Sequence, residues 1–234
     1  MGAAHARVRQ GMTVAIRDAA TVLVVRRDAA GASVLMGMRG AGAAFMPSKF
    51  VFPGGAVDPE DVQVALARPL GPACRARLVQ EDGLSPDAIA AAALRELAEE
   101  TGLLIGRPDG PPCDWPSHAK AGLTPDAAPL IYLFRAITPP GRPRRFDAHF
   151  FVADAADIAG DPDDFGAACD ELSHLHWVPL DQAGALDLPF ITEVVLAELI
   201  ALIRDLPHDR PLAAPDTVPF FDNRGPAPVF RQIA

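Results

Sequence analysis

Lysine is almost absent from this chain: Lys49 and Lys120 stand alone, and arginine carries the rest of the basic charge, a bias of genome composition rather than of chemistry. Cysteine is scarce and odd in number. Cys74, Cys113 and Cys169 lie far apart with no Cys-x-x-Cys spacing, which argues against a disulfide framework and for reduced thiols in a cytoplasmic protein. Long apolar runs are missing too. Thr21–Val25 and Val194–Ile203 fall far short of the ~18 residues that cross a bilayer, and Glu198 interrupts the second. The N-terminal MGAAHARVRQGM has no apolar core, so no secretory signal is expected. Positive charge is in deficit, with a formal net charge of −9. A protein that coats nucleic acid needs a basic face, so that class is disfavoured. Small polyanionic ligands remain open, provided a divalent cation screens them.

What is present fits one soluble folding unit. The 234 residues are 50% hydrophobic and 22% charged, enough to bury a core without disulfide or metal support. Residues 1–11 read as a loose leader, and no internal repeat is found. β-Branched runs at Ala20–Arg26 and Ser33–Arg39 flank a hairpin loop, and Phe50–Phe52 is a short strand that stops at Pro53-Gly54-Gly55. From Asp58 to Gly83 the chain is Pro-rich, with one helical turn expected around Ala73–Gln80. Ser85-Pro86-Asp87 opens a helix that Gly102 closes. Leu103–Ile105 begins a strand, and 107–127 reads as loop. Leu130–Ile137, Phe146–Ala153 and Leu172–Val178 read as strands, and Ile191–Asp205 as an amphipathic helix. Residues 207–234, with six prolines, read as an irregular tail packed on the body through Phe220, Phe221 and Phe230. The expected fold class is α+β: a mixed sheet covered by helices in a single domain spanning about 12–206.

The densest chemistry lies in Arg95-Glu96-Leu97-Ala98-Glu99-Glu100-Thr101-Gly102-Leu103. On a helix, Glu96, Glu99 and Glu100 share one sector, and like charges at that spacing destabilise the helix by roughly 0.2–0.5 kcal/mol per pair. A hard divalent cation, Mg²⁺ or Mn²⁺, would reverse the cost. Arg95 can orient Glu96 or Glu99. The opposite sector, with Ala91, Ala92, Leu94, Leu97 and Ala98, is small enough for close packing on a sheet.

This string resembles the Nudix box, Gx5Ex7REUxEExGU, and matches its REUxEExGU half at every specified position. Counting back from Arg95, the preceding acid falls on Asp87, but the opening glycine would then fall on Glu81. A second register places the opening glycine at Gly55, after Phe52-Pro53-Gly54, with Asp61 six residues on. A segment of about 62–84 then splits the box. Arg39, Phe45-Met46-Pro47 and Phe50–Gly55 resemble the upstream signature of the peroxisomal coenzyme A diphosphatase branch. Arg145–Phe151 resembles one of its strands, with His149 where an arginine is expected, and Glu171–Trp177 a late strand. The resemblance covers about 15–205.

The resemblance implies a Nudix-type α/β/α sandwich and metal-dependent cleavage of the pyrophosphate in a nucleoside diphosphate linked to another group, here coenzyme A or acyl-CoA. It implies Mg²⁺ or Mn²⁺ on Glu96, Glu99, Glu100 and the backbone oxygen of Gly55. Arg95 would orient a glutamate, and either Glu96 or Glu171 would be the general base. Gly55 is expected to be glycine because of the backbone conformation that the tight loop demands. Arg39, Arg144 and Arg145, with Arg142, are the candidates for substrate phosphate, and Arg68, Arg75 and Arg77 of the insertion for a remote phosphate. His174 and His176 read as ordinary surface or half-buried residues. Two alternatives stay open: a Nudix hydrolase of another nucleotide, and a Nudix-fold sensor that binds without cutting, against which the intact carboxylates argue. The expected partner is a small nucleotide, with no nucleic acid and no membrane, and a homodimer is left open. The chain does not end in Ser-Lys-Leu, so the peroxisomal address is not carried over and a cytoplasmic site is expected.

Overall fold

A computed structural model describes residues 14–40, 42, 46–81, 85–225 and 227–234. The expected leader, Phe45 of the upstream signature and the end of the insertion at 82–84 lie outside these residues. In chain order the elements are β1 (Ile16–Asp28), β2 (Gly31–Arg39), β3 (Phe50–Val51), β4 (Gly54–Ala56), α1 (Pro72–Glu81), α2 (Pro86–Thr101), β5 (Gly106–Arg107), α3 (Pro116–Ala121), β6 (Thr124–Pro125), β7 (Ile131–Ile137), β8 (Arg145–Asp154), β9 (Leu172–Pro179), α4 (Phe190–Ile203), β10 (Val218–Asp222) and β11 (Val229–Ile233).

Nine strands form one mixed sheet in the order β11-β10-β7-β8-β1-β2-β3, with β4 also pairing β1 and β9 also pairing β2. β1 runs parallel to β8 and β10 parallel to β7; the other pairings are antiparallel. Alternation along β1 explains the layering. Val22 and Val24 face one core with Ile89, Ala93 and Leu97 of α2, whereas Leu23 and Val25 face a second core with Val195, Leu196 and Leu199 of α4. The result is a single-domain α/β/α sandwich with α1 and α2 on one face and α4 on the other. The alanines of α2 at positions 90–93, all fully buried, bring that helix close to the sheet. Gly102 caps it at φ 77°, the left-handed conformation that glycine adopts without penalty. Ser85 stands at the N-cap without a side-chain bond.

Four local expectations need correction. The insertion holds a helix of ten residues, not one turn; Cys74 and Leu78, four apart, seat it in the first core beside Leu70 of the preceding segment. The strand expected at Leu103–Ile105 forms instead at Gly106–Arg107 and pairs with Thr124–Pro125. The 107–127 loop contains α3, because Pro116 occupies a first-turn position whose N–H has no helical partner anyway. The tail is not irregular, since β10 and β11 extend the main sheet beside β7. Phe220 is fully buried there, Phe221 partly, and Phe230 is 55% exposed.

Candidate active site

The site forms where β4 meets α2. Gly54 and Gly55 pair with Thr21 and Ala20 of β1. The N–H of Gly54 donates to Glu100 Oε2 at 2.7 Å, which fixes that carboxylate beneath the loop. A Cβ on Gly55 would overlap the Glu96 carboxylate. The need for glycine at 55 is therefore one of space. Its φ is not positive, which corrects the conformational reason expected from the sequence.

Arg95 binds these pieces together. Its Nε and Nη2 reach the two oxygens of Asp61 at 2.9 and 3.1 Å, and Nη2 also donates to the carbonyl of Ala56 at 3.0 Å. Nη1 donates to Glu96 Oε1 at 2.8 Å and Glu99 Oε2 at 3.2 Å. The Asp61 side chain is fully buried and also accepts the Asp58 N–H at 2.8 Å. Burial alone would lower the affinity of Arg95 for its proton, but the paired Asp61 and Glu96 raise it. Asp87, the acid reached by contiguous counting, pairs instead with Arg75.

Sequence reasoning placed Arg39 and Glu171 here as well, and the fold brings both in. Arg39 Nη2 lies 3.4 Å from Glu171 Oε1 and 3.8 Å from Glu100 Oε1. Seven of the nine candidates thus converge: Arg39, Gly55, Arg95, Glu96, Glu99, Glu100 and Glu171. The other two do not. Arg145 is buried and donates to the carbonyls of Thr138 and Asn223 at 2.9 and 2.8 Å, so it anchors the tail rather than meeting a substrate. Arg144, beside Arg142, is exposed and makes no contact with the carboxylates among the described residues. This end of β8 pairs with Ile16, four residues along β1 from Gly55's partner, or about 13 Å. The insertion arginines are engaged too. Arg68 holds the buried Asp126, Arg75 holds Asp87, and Arg77 donates to the carbonyl of Asp216 at 2.7 Å. His174 and His176 are exposed on β9, His174 at φ 54°. The role of Gly54 as a donor to Glu100 went unread, although the Gly-Gly pair was its signal.

The carboxylates fit a divalent cation. Glu100 Oε1 is buried and accepts no hydrogen bond among the described residues, with Arg39 beyond bonding distance. Burial pushes the Glu100 carboxyl up to about 8, with Glu96 and Glu171 adding to the effect against the opposing Gly54 bond and Arg39. Burial also raises Glu96, against the pull of Arg95, with Glu99 and Glu171 adding to the rise. A cation would relieve both. Among the described residues no three acidic, histidine or cysteine side chains form a ready-made cage; Glu99 is turned onto Arg95. Arg95 engages only Oε2 of Glu99, so Oε1 would be the oxygen that this carboxylate offers to a cation.

A mixed-sheet sandwich with clustered carboxylates under a glycine loop suits a site that meets a polyanion through a hard divalent cation. A Nudix hydrolase from Alicyclobacillus acidocaldarius is 32% identical over 80% of this chain and 92% of its own, with a TM-score of 0.61. The Nudix domain of NrtR from Shewanella oneidensis, solved with ADP ribose, is 13% identical over 80% and 88%, with a TM-score of 0.48. An Ap4A hydrolase from C. elegans is 16% identical over 81% and 98%, also at 0.48. No family model and no curated protein matches the chain. On the strength of the first of these structures, the chain belongs to the Nudix hydrolases and is a pyrophosphohydrolase.

Proposed function

We propose that this chain hydrolyses the pyrophosphate of coenzyme A or acyl-CoA in the cytoplasm, with Mg²⁺ or Mn²⁺, through a Nudix box split by residues 62–84. The observation that carries this reading is the bidentate grip of Arg95 on Asp61. It restores the glycine-to-acid-to-arginine relation of the box across the insertion, with Gly55 packed on Glu96. The split supports the branch to which the upstream signature also points.

Glu96, Glu99, Glu100 and the Gly55 carbonyl would hold the cation, which when bound offsets diphosphate charge and acidifies water. The rest falls to the chain. Arg95 keeps the Glu96 carboxylate aimed over Gly55, and the Gly54 N–H does the same for Glu100. Arg39 lies at the rim, 18% exposed, where its guanidinium can meet a phosphate oxygen by exchanging away from Glu171. That exchange frees Glu171, 58% exposed, to take a proton from the attacking water at Oε1.

Phosphate release from coenzyme A, dephospho-CoA, ADP-ribose, NADH and dinucleotides, with and without Mg²⁺, tests this. Preference for coenzyme A or its thioesters is expected. Preference for another member of the panel overturns the substrate, and binding without turnover overturns the catalytic reading.

A further inference from the structure

The outward face of α4 carries an exposed stripe. Phe190, Glu193, Ala197, Ile200, Ala201 and Arg204 recur at helical spacing, and all are exposed. Phe190 is 68% exposed, far more than a phenyl ring at a helix start requires, and Ile200 is 37% exposed. Arg204 keeps helical geometry at the C-cap, so it continues the stripe. Glu193 and Arg204 have no ion-pair partner within the chain among the described residues.

The stripe is self-complementary. A two-fold axis between Glu198 and Leu199 sets two α4 helices antiparallel and brings Glu193 opposite Arg204 of the second copy, twice by symmetry. The same axis sets Ala197 opposite Ile200, a small residue against a large one. It also carries Phe190 to the far end of the partner helix. There a groove of about 490 Å³ opens between the helix end and the β1–β2 hairpin, where Leu180, Ile200, Ile203 and Leu206 stand among the charged Arg27, Asp28, Asp181 and Arg204. An exposed ring and a groove with apolar side chains to receive it thus lie at opposite ends of one helix, as an isologous contact demands.

We propose that α4 is the interface of a homodimer, closed by reciprocal Glu193–Arg204 ion pairs and by Phe190 of each copy seated at the α4 C-terminal groove of the other. The interface lies on the sheet face opposite α2, so both acidic sites stay open in the assembly.

Sedimentation of the full chain at micromolar concentration tests the proposal. Wild type is expected to be dimeric, and Phe190→Ala is expected to raise the dimer Kd at least ~10-fold. Glu193→Arg alone and Arg204→Glu alone each place like charges opposite one another twice, and each is expected to raise the Kd by ~10²-fold or more. Mixing the two single variants restores both pairs in a heterodimer, and the double variant restores them in a homodimer; both are expected to associate as wild type does. A monomeric wild type overturns the proposal. So does a dimer indifferent to the reversals, which would place the contact elsewhere, for example at the β11 edge. Failure of the mixture to rescue would overturn the antiparallel register.

Discussion

Replacing Asp61 by Asn separates the two possible box registers. The Asp61 carboxylate is fully buried and takes two bonds from Arg95 and one from the Asp58 N–H. Asn removes the charge and turns one oxygen into an NH₂ that faces donors. Breaking a buried pair on one side costs about 3–5 kcal/mol. Arg95 keeps Glu96, Glu99 and the Ala56 carbonyl, so the lower part of that range, about 3 kcal/mol, is expected. For a domain of this size that is a fall in Tm of about 6–12 °C. Without Asp61 to hold its other edge, Arg95 orients Glu96 less rigidly, and kcat should fall ~10–10²-fold. Asp87→Asn is the control. Its pair with Arg75 is 37–43% exposed, so after solvent screening it is worth about 1 kcal/mol or less. Urea unfolding and turnover at saturating Mg²⁺ read both variants. If Asp87→Asn proves the more costly, or Asp61→Asn stays within about 1 kcal/mol of wild type with full activity, the Arg95–Asp61 clamp does not join the two halves.

Three further outcomes are expected. Glu99→Gln should lower kcat by at least ~10²-fold at saturating Mg²⁺ with little change in stability, measured by turnover and melting; near-wild-type turnover removes Glu99 from the site. Gly55→Ala should displace the Glu96 carboxylate and depress catalysis more than stability; an inactive variant that is also unfolded would make the position purely structural. His149 is fully buried, and burial pushes its imidazole down to about 4, with Arg135 adding to the effect and Asp147 opposing it. A folded-state value below the ordinary ~6.5 means full stability above that pH and progressive loss as pH falls toward 4, by about 3 kcal/mol at most. His149→Gln should flatten that acid loss in denaturant titrations at pH 7 and 4.5, and an equal loss in both proteins assigns it to other groups.

The convergence of the acidic residues was legible because they are local. Glu96, Glu99 and Glu100 share a helix face by spacing alone, and Gly55 to Asp61 is a fixed interval that survives whatever is inserted after it. What failed to read depends on partners distant in the chain. Arg142, Arg144 and Arg145 look alike in sequence, yet Arg145 opens a strand whose alternate positions, Arg145, Asp147 and His149, all point inward. Polar residues on a buried face are stable only if bonded. For Arg145 the acceptors are Thr138 and, 78 residues on, Asn223, in the very tail whose prolines suggested no structure. Asn223 returns a bond to the Ile137 carbonyl, and Phe220 stacks 4.3 Å beneath the guanidinium of Arg135, which is itself paired with Asp147. The tail strands and the charged face of β8 therefore account for each other. Each supports the other: without β10 and the Asn223 that follows it, Arg145 would lose an acceptor and Arg135 its aromatic cover, and without those arginines the tail would lose those contacts in turn. The same dependence explains why the insertion arginines did not stay free for a ligand. Asp87 lies on α2 and Asp126 just after β6, and only folding brings each within reach of Arg75 and Arg68. A charge pattern in sequence thus foretells which side chains share a face when its members are neighbours on one helix, as on α2, and misleads when the fold itself supplies the counter-charge.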